Sequence, residues 1–168
     1  MRPCKRGPAK TGGPMTVIPV RAASSEGGSG AGYAGDLSSQ EAWRLLAEDA
    51  RAILIDVRTR PEWMFVGVPD LSTIGKRAAF LSWQAFPTME VAADFVPSIE
   101  KSGIEREQTI LFICRSGARS RSAAIAATRA GFSRAFNVAD GFEGPPDAER
   151  HRGRIAGWKA SGLPWVQE

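Results

Sequence analysis

The chain has 168 residues, of which 43% are apolar and 24% are charged, and it contains 18 Gly, 11 Pro, two Cys and one His. This length suits one globular domain with a loose segment, and so few histidines and cysteines exclude a four-ligand zinc site. The net charge of +4 lies in residues 1–35, because the remainder carries 17 basic and 17 acidic side chains. Composition therefore gives no case for nucleic-acid binding.

Residues 1–34 are predicted to be a disordered, basic, Gly- and Ser-rich N-terminal arm, and residues 35–168 the folded domain. Between Ser24 and Gly35 the sequence is almost wholly Ser, Gly and Ala, too poor in large apolar groups to offset the entropy of ordering it. No stretch approaches the roughly 20 apolar residues that span a bilayer, so no membrane association is expected.

The two cysteines indicate a cellular compartment. Cys4 lies in the arm and Cys114 lies inside an apolar run, so no structural disulfide is expected. Unpaired cysteines are typical of a reducing environment. The sequence therefore predicts a cytoplasmic protein.

The folded part is predicted to open with a helix of about three turns. Ser38 stands three residues before Glu41, which is the spacing of a capping box. Apolar residues then recur at helical spacing and are expected to form the buried face: Trp43, Leu46, Ala47 and Ala50.

Two interior strands are predicted next, with a short helix and a loop between them. The nearly continuous apolar run at 52–57 (AILIDV) fits a strand that is buried on both faces. Pro61 suits the start of a short helix, and the Gly and Pro at 67–70 indicate a loop. The second strand is expected at 78–83.

The next helix is predicted within residues 89–101. Val91, Phe95 and Ile99 form an apolar stripe there, and Gly103 ends it. Pro97 interrupts this pattern and should kink or shorten the helix, because proline cannot donate a helical hydrogen bond.

The remaining segments continue the alternation of strand and helix. A strand at 109–113 (TILFI) leads through a polar turn to an alanine-rich helix at 120–130, which Gly131 should cap. Another strand follows at 135–138, then a Gly and Pro loop, then a final helix at about 149–160. Such alternation predicts a three-layer α/β domain with a mainly parallel sheet.

Cys114 is predicted to be a nucleophile, because it stands where the strand at 109–113 ends and the next helix begins. Ligands of open α/β sheets bind at that edge. Gly117 permits a tight turn whose N–H groups can converge on an anion, and the helix N-terminus adds positive potential. Arg115 and Arg119 add full charges, so the turn favours a thiolate.

The alternative interpretation is that Cys114 is a small apolar filler at a strand end, the commonest role of a free cysteine. A nucleophilic role requires that the sulfur be reachable from solvent and that the neighbouring peptide N–H groups face it.

Three other polar residues follow the first interior strand. Asp56, Arg58 and Glu62 are expected to support the structure, with Arg58 pairing with Glu62 across a helical turn. His151 is expected to be solvated, although a histidine can act as a general base.

Three motifs together resemble the rhodanese (thiosulfate sulfurtransferase) family in its single-domain form. They are Ile53 to Arg58 with Glu62, the turn from Cys114 to Ser120, and the closing run from Gly157 to Pro164. The resemblance spans about residues 36–168. It implies a three-layer rhodanese-like domain whose parallel five-stranded sheet is flanked by helices.

The resemblance also implies a reaction. Cys114 would take a sulfane sulfur from a small anionic donor such as thiosulfate, carry it as a persulfide, and pass it to cyanide or a thiol. The donor and the persulfide would be bound by the loop of Arg115, Ser116, Gly117, Ala118, Arg119 and Ser120. No cofactor and no metal are expected, because the sequence has no dinucleotide fingerprint and no Walker turn.

Two features depart from the usual pattern of that family. Gly67 is followed by Val68 and Pro69, where most members have a Gly-His-Ile turn, and residues 142–156 look like an insertion. This insertion follows a strand end, so it is expected beside the active turn.

Three other functions remain open. A cysteine phosphatase or arsenate reductase uses a similar turn but places five residues between cysteine and arginine, whereas four separate Cys114 from Arg119. A non-catalytic docking module of this fold typically lacks the cysteine. A persulfide relay to a partner protein is compatible with the same residues.

Overall fold

The computed structural model describes residues 32–167, so the predicted arm lies outside the described residues except for its last three. Its centre is a five-stranded parallel sheet, as expected. In chain order the strands are β1 (Gly35–Leu37), β2 (Ile53–Asp56), β3 (Val68–Pro69), β4 (Ala79–Phe80), β5 (Gln84–Ala85), β6 (Glu90–Val91), β7 (Ile110–Ile113), β8 (Ala135–Val138) and β9 (Trp165–Val166). The order of strands in the central sheet is β1-β8-β7-β2-β4. Two small antiparallel ladders, β3 with β9 and β5 with β6, lie beside the main sheet.

Helices cover both faces of this sheet and complete the three layers. They are α1 (Ser39–Glu48), α2 (Arg60–Val66), α3 (Phe95–Lys101) and α4 (Ala118–Arg129), with a 3₁₀ turn at Ser72–Ile74. One core lies between the sheet and α3 and α4, whereas the other lies between the sheet and α1. Because β7 is in the middle of the sheet, all four of its residues are buried.

The first helix begins where the sequence predicts, with some change in its buried face. Ser38 and Glu41 form the capping box, and the helix has 10 residues. Leu46 is buried as expected, but Ala47 and Ala50 are exposed. The helix instead turns Ser39, Ala42 and Leu46 to the sheet.

The predicted strand at 78–83 is shorter than expected and is not interior. Only Ala79 and Phe80 pair, and β4 lies at the edge of the sheet beside β2. The predicted loop at 67–70 contains β3, which pairs with β9 near the end of the chain. Both differences depend on long-range pairing that local patterns do not encode.

The predicted helix at 89–101 is shortened to Phe95–Lys101, and Val91 lies instead in the exposed strand β6. Phe95 and Ile99 are buried as expected. Pro97 falls in the first turn of α3, where a missing N–H leaves no helical hydrogen bond unmade.

The predicted helix at about 149–160 is wrong, because this segment consists of turns and bends. Arg150, Gly153 and Gly157 have positive φ angles, which an α-helix does not allow. The N–H groups of Gly153 and Trp158 donate to the carbonyls of Glu143 and Gly141 at 2.6 and 2.8 Å, so the segment folds back along the chain that follows β8.

Candidate active site

Cys114 directly follows β7, and α4 begins only four residues later. This helix starts at Ala118, two residues earlier than the sequence predicts, so Arg119 lies in its first turn. Gly117 precedes the helix with a φ of +96°, and a Cβ there would lie 2.1 Å from the carbonyl oxygen of Ala139. Glycine is therefore required for this sharp connection.

The sulfur of Cys114 lies beneath this turn. The N–H of Gly117 donates to Cys114 Sγ at 3.2 Å, and Ser120 Oγ lies 3.1 Å from the same sulfur. Cys114 is only 1% exposed. The first condition for a nucleophilic role, a sulfur reachable from solvent, is therefore not met in this structure, whereas the N–H of Gly117 meets the second. Arg115, Ser116 and Ala118 are exposed above the sulfur.

The segment after β8 holds the turn from behind. The carbonyl of Cys114 accepts the N–H of Phe142 at 2.8 Å, and the carbonyl of Arg115 accepts the N–H groups of Glu143 and Gly144 at 3.0 and 3.1 Å. A trans peptide directs its N–H opposite to its C=O. The N–H groups of Arg115 and Ser116 therefore point away from that segment.

These N–H groups are available to a ligand. Within residues 32–167, none of the N–H groups of the following residues donates to a protein acceptor: Arg115, Ser116, Ala118, Arg119 and Ser120. Free N–H groups at the start of a helix form an anion-binding site. The insertion-like stretch thus lies beside the turn, as expected, and orients its peptides.

Arg119 is paired with Glu62. The guanidinium donates to both carboxylate oxygens at 2.8 and 2.7 Å, and the N–H and hydroxyl of Thr59 donate to the same carboxylate. The predicted pairing of Arg58 with Glu62 is therefore wrong. Burial alone would raise the pKa of Glu62, but the hydrogen bonds from Arg119 and Thr59 outweigh it and lower the pKa to about 2.

This pair predicts a pH-dependent contribution to stability. Since the pKa of Glu62 is lower in the folded state, its contribution should be complete above the unfolded value of 4.5 and should be lost as the pH falls towards about 2. We expect Glu62→Gln to destabilise the protein at pH 7 and to match the wild type near pH 2. Chemical denaturation across this range measures the difference, and a difference independent of pH would contradict the assignment.

Arg58 pairs instead with Asp56, and both side chains are fully buried. The guanidinium donates to Asp56 at 2.6 Å and to the carbonyl of Gly67 at 2.8 Å, and it lies 4.1 Å from the ring centroid of Phe142. Arg58 therefore joins the end of β2 to the segments after α2 and β8. A supporting role for Asp56 and Arg58 stays a prediction, and these contacts are the ones through which it would act.

The remaining basic residues near the turn differ in their pairing. Arg115 forms no salt bridge within the described part of the chain, so its charge is free to attract an anion. Arg121 faces away from the sulfur and pairs with Asp36 on β1 at 3.1 Å. Arg119 is therefore the arginine that borders the turn from α4.

A possible metal-ligand group lies away from the turn. Asp147, Glu149 and His151 place one ligand atom each within 4.8 Å of one another, and His151 is exposed as expected. Arg154 lies 3.3 Å from both carboxylates and already offsets part of their charge. We assign no ion to this group.

An apolar hollow of about 550 Å³ lies beside α2, lined by Trp63, Met64, Phe65, Val68, Phe80, Val166 and Gln167. No residue of the turn lines it. The hollow is therefore separate from the turn around Cys114.

The sequence prediction missed one polar residue that is linked to the sulfur through Ser120. Asn137 is fully buried in β8, and its side-chain oxygen accepts the hydroxyl of Ser120 at 2.6 Å. A single amide in the otherwise apolar run AFNV is a signal that could have identified it, because buried polar groups need partners.

No helix within residues 32–167 has the length and apolar character needed to cross a membrane.

Residues 34–168 match the family model described as the STR4 middle domain. The protein RC0915 of Rickettsia conorii is 39% identical over 130 residues, which cover 77% of this chain and 95% of that protein. The rhodanese-like domain-containing protein 4 of Arabidopsis thaliana chloroplasts is 28% identical over 131 residues, which are 77% of this chain and 25% of that protein.

Solved structures show the same architecture. Rv0390 from M. tuberculosis has a TM-score of 0.74 and 46% identity, with 81% of this chain and 99% of that chain covered. The polysulfide-sulfur transferase homodimer of Wolinella succinogenes has a TM-score of 0.56 and 26% identity, with 79% and 78% covered.

Proposed function

The chain belongs to the rhodanese-like sulfurtransferase family, and from this premise we propose that it transfers sulfane sulfur through a persulfide on Cys114. The thiolate attacks the outer sulfur of a small anionic donor such as thiosulfate, the donor's S–S bond breaks, and sulfite leaves with the bonding electron pair. An acceptor such as cyanide or a thiol then attacks the outer sulfur, and Cys114 returns to the thiolate. This covalent intermediate divides one transfer into two easier steps.

The observation that carries this proposal is the direction of the peptides in the turn. The carbonyls of Cys114 and Arg115 are held by residues 142–144, and the N–H of Gly117 faces the sulfur. The other free N–H groups of the turn are then available to the outer, negatively charged sulfur of a persulfide. Such preorganised donors stabilise developing charge without reorganisation during the reaction.

Spacing favours the transfer of a sulfur atom over the transfer of a phosphoryl group. A cysteine phosphatase places five residues between its cysteine and its arginine, whereas four separate Cys114 from Arg119. Because Glu62 neutralises Arg119, the turn keeps one uncompensated guanidinium, that of Arg115. The shorter turn suits the lone outer sulfur of a persulfide better than a bound tetrahedral phosphate.

The acceptor and the compartment complete the proposal. The outer side of the turn is exposed at Arg115, Ser116 and Ala118. Either a small acceptor or the thiol of a partner protein can therefore receive the sulfur there. We also propose a cytoplasmic location, since a reducing compartment keeps a free thiol available between turnovers.

Intact mass spectrometry after incubation with thiosulfate tests the proposal. We expect the wild type and Cys4→Ser to gain the mass of one sulfur atom, and cyanide to remove it with formation of thiocyanate. The matched variant Cys114→Ser should gain nothing, with at least a 1000-fold loss of turnover, roughly the scale found when a catalytic nucleophile is removed. The absence of an adduct, together with hydrolysis of an aryl phosphate, would assign the turn to phosphoryl transfer instead.

A further inference from the structure

A buried chain of polar side chains leads from the sulfur of Cys114 to the protein surface. Ser120 Oγ lies 3.1 Å from the sulfur and 2.6 Å from Asn137 Oδ1, and Asn137 Nδ2 donates to Asp36 Oδ1 at 2.8 Å. Ser120 and Asn137 are fully buried. The reaction proposed above does not use this chain.

Asp36 determines which way the amide of Asn137 faces. Its carboxylate accepts hydrogen bonds from Tyr33 and Arg121 as well as from Asn137, and these hydrogen bonds lower the pKa of Asp36 although burial opposes them. An ionised carboxylate can only accept. The NH₂ group of Asn137 must therefore face Asp36, and its oxygen must face Ser120.

The orientation of Asn137 in turn determines what Ser120 offers to the sulfur. An amide oxygen can only accept, so at 2.6 Å the hydroxyl of Ser120 must donate to it. A hydroxyl has one proton, and the lone pairs of Ser120 are then directed at the sulfur. This arrangement suits a thiol, which donates its S–H to Ser120, and opposes a thiolate.

We propose that Asn137 is a positioning residue which, through Ser120, holds the resting Cys114 in its protonated thiol form. For the sulfur to ionise, its proton passes to water and the hydroxyl of Ser120 turns from Asn137 to the sulfur. This rotation leaves the buried oxygen of Asn137 without its donor, which is costly. The resting thiol is thereby protected from oxidation, since thiolates are the reactive form.

Other charges surround the sulfur, and all of them are balanced except one. Arg119 from α4 is paired with Glu62 from α2, Arg58 is paired with Asp56 at the end of β2, and Arg121 is paired with Asp36 on β1. Arg115 in the turn is unpaired within the described residues and favours the thiolate. The Asn137–Ser120 contact therefore acts against Arg115 and the N-terminus of α4.

Ultraviolet thiolate absorbance, followed as a function of pH in a Cys4→Ser background, tests this inference. Asn137→Leu removes the acceptor at nearly constant volume, so Ser120 becomes free to donate to the sulfur. We expect the pH of half-maximal thiolate absorbance to fall by about one unit, the size that corresponds to one buried hydrogen bond. In a Ser120→Ala background, the same substitution should cause no shift.

A surface variant provides a second test that does not disturb the core. Asp36→Asn introduces an amide that can donate, so Asn137 is free to turn its NH₂ group towards Ser120 and to release the hydroxyl. We expect a shift in the same direction. Asp36→Asn also removes a negative charge, which adds an electrostatic contribution to the shift that salt screens. In a Ser120→Ala background, only this electrostatic contribution should remain.

The inference rests on the proposed function only in naming Cys114 as the reacting atom, and the absorbance measurement uses no sulfur donor. Failure of sulfur loading would therefore leave it standing. Unshifted titrations in both Asn137→Leu and Asp36→Asn would overturn it, as would equal shifts with and without Ser120. Near-ultraviolet circular dichroism checks that each variant is folded. If Asn137→Leu does not fold, the titration of Asp36→Asn decides the outcome.

Discussion

Replacing Gly141 with alanine is expected to lower kcat/KM for sulfur transfer by about 100-fold or more. A Cβ at this position would lie 2.5 Å from the carbonyl oxygen of Arg115 and 2.6 Å from the nitrogen of Ser116, which are backbone atoms that cannot move independently. The turn would have to shift, and a displacement of about 1 Å in a catalytic group costs on this scale. Steady-state kinetics with thiosulfate and cyanide measure the effect.

Gly75→Ala is the matched control for backbone strain. Gly75 has a φ of +68° and Gly141 one of +67°, but a Cβ at Gly75 would meet nothing within 4 Å. Both substitutions introduce the same backbone strain at a positive φ angle, about 1 to 2 kcal/mol. If Gly75→Ala and Gly141→Ala lost activity equally, the contact between Gly141 and the turn would not be needed for catalysis.

Arg58→Met is expected to lower the free energy of unfolding by about 3 to 5 kcal/mol, because it leaves the buried Asp56 carboxylate without its partner. The pair has no exposure at either side chain, and Arg58 also donates to the carbonyl of Gly67. Methionine keeps most of the contact with Phe142, so the loss reports the charge and the hydrogen bonds. Unfolding in guanidinium chloride measures it.

An exposed ion pair provides the comparison. Glu100 and Arg106 are 45% and 53% exposed, so Glu100→Gln should cost less than about 1 kcal/mol. A double variant, Asp56→Leu with Arg58→Met, should cost less than the two single variants together, because it leaves no buried charge. An Arg58→Met effect no larger than that of Glu100→Gln would show that the buried pair contributes little to stability.

Features that depend on neighbouring residues followed directly from the sequence. Ser38 and Glu41 meet within one helical turn, so the start of α1 was predictable. The unbroken apolar run of β7 requires burial on both faces, and the glycine and small residues after Cys114 can form little other than a tight connection into a helix. The tight turn after Cys114 and the parallel sheet were therefore predictable from local patterns.

Features that depend on which elements pack together did not follow from the sequence. Glu62 pairs with Arg119 instead of Arg58 because the fold brings the start of α2 within side-chain reach of the start of α4. The predicted final helix was replaced by turns because its N–H groups bond to the chain after β8. The Glu62–Arg119 contact joins residues 57 positions apart and the Trp158–Gly141 contact residues 17 apart, so no local pattern indicates them.

The amino-acid sequence by itself determined the parallel sheet, the sharp connection from β7 into α4 and the kinship of the chain. Only the tertiary structure decided that the sulfur lies beneath the turn, that Arg119 is neutralised, and that Asn137 reaches Ser120 behind it. The physical reason is the distance along the chain over which each kind of interaction acts. Helical capping, strand burial and glycine turns act between neighbours, whereas hydrogen bonds between distant segments exist only once the sheet has brought them together.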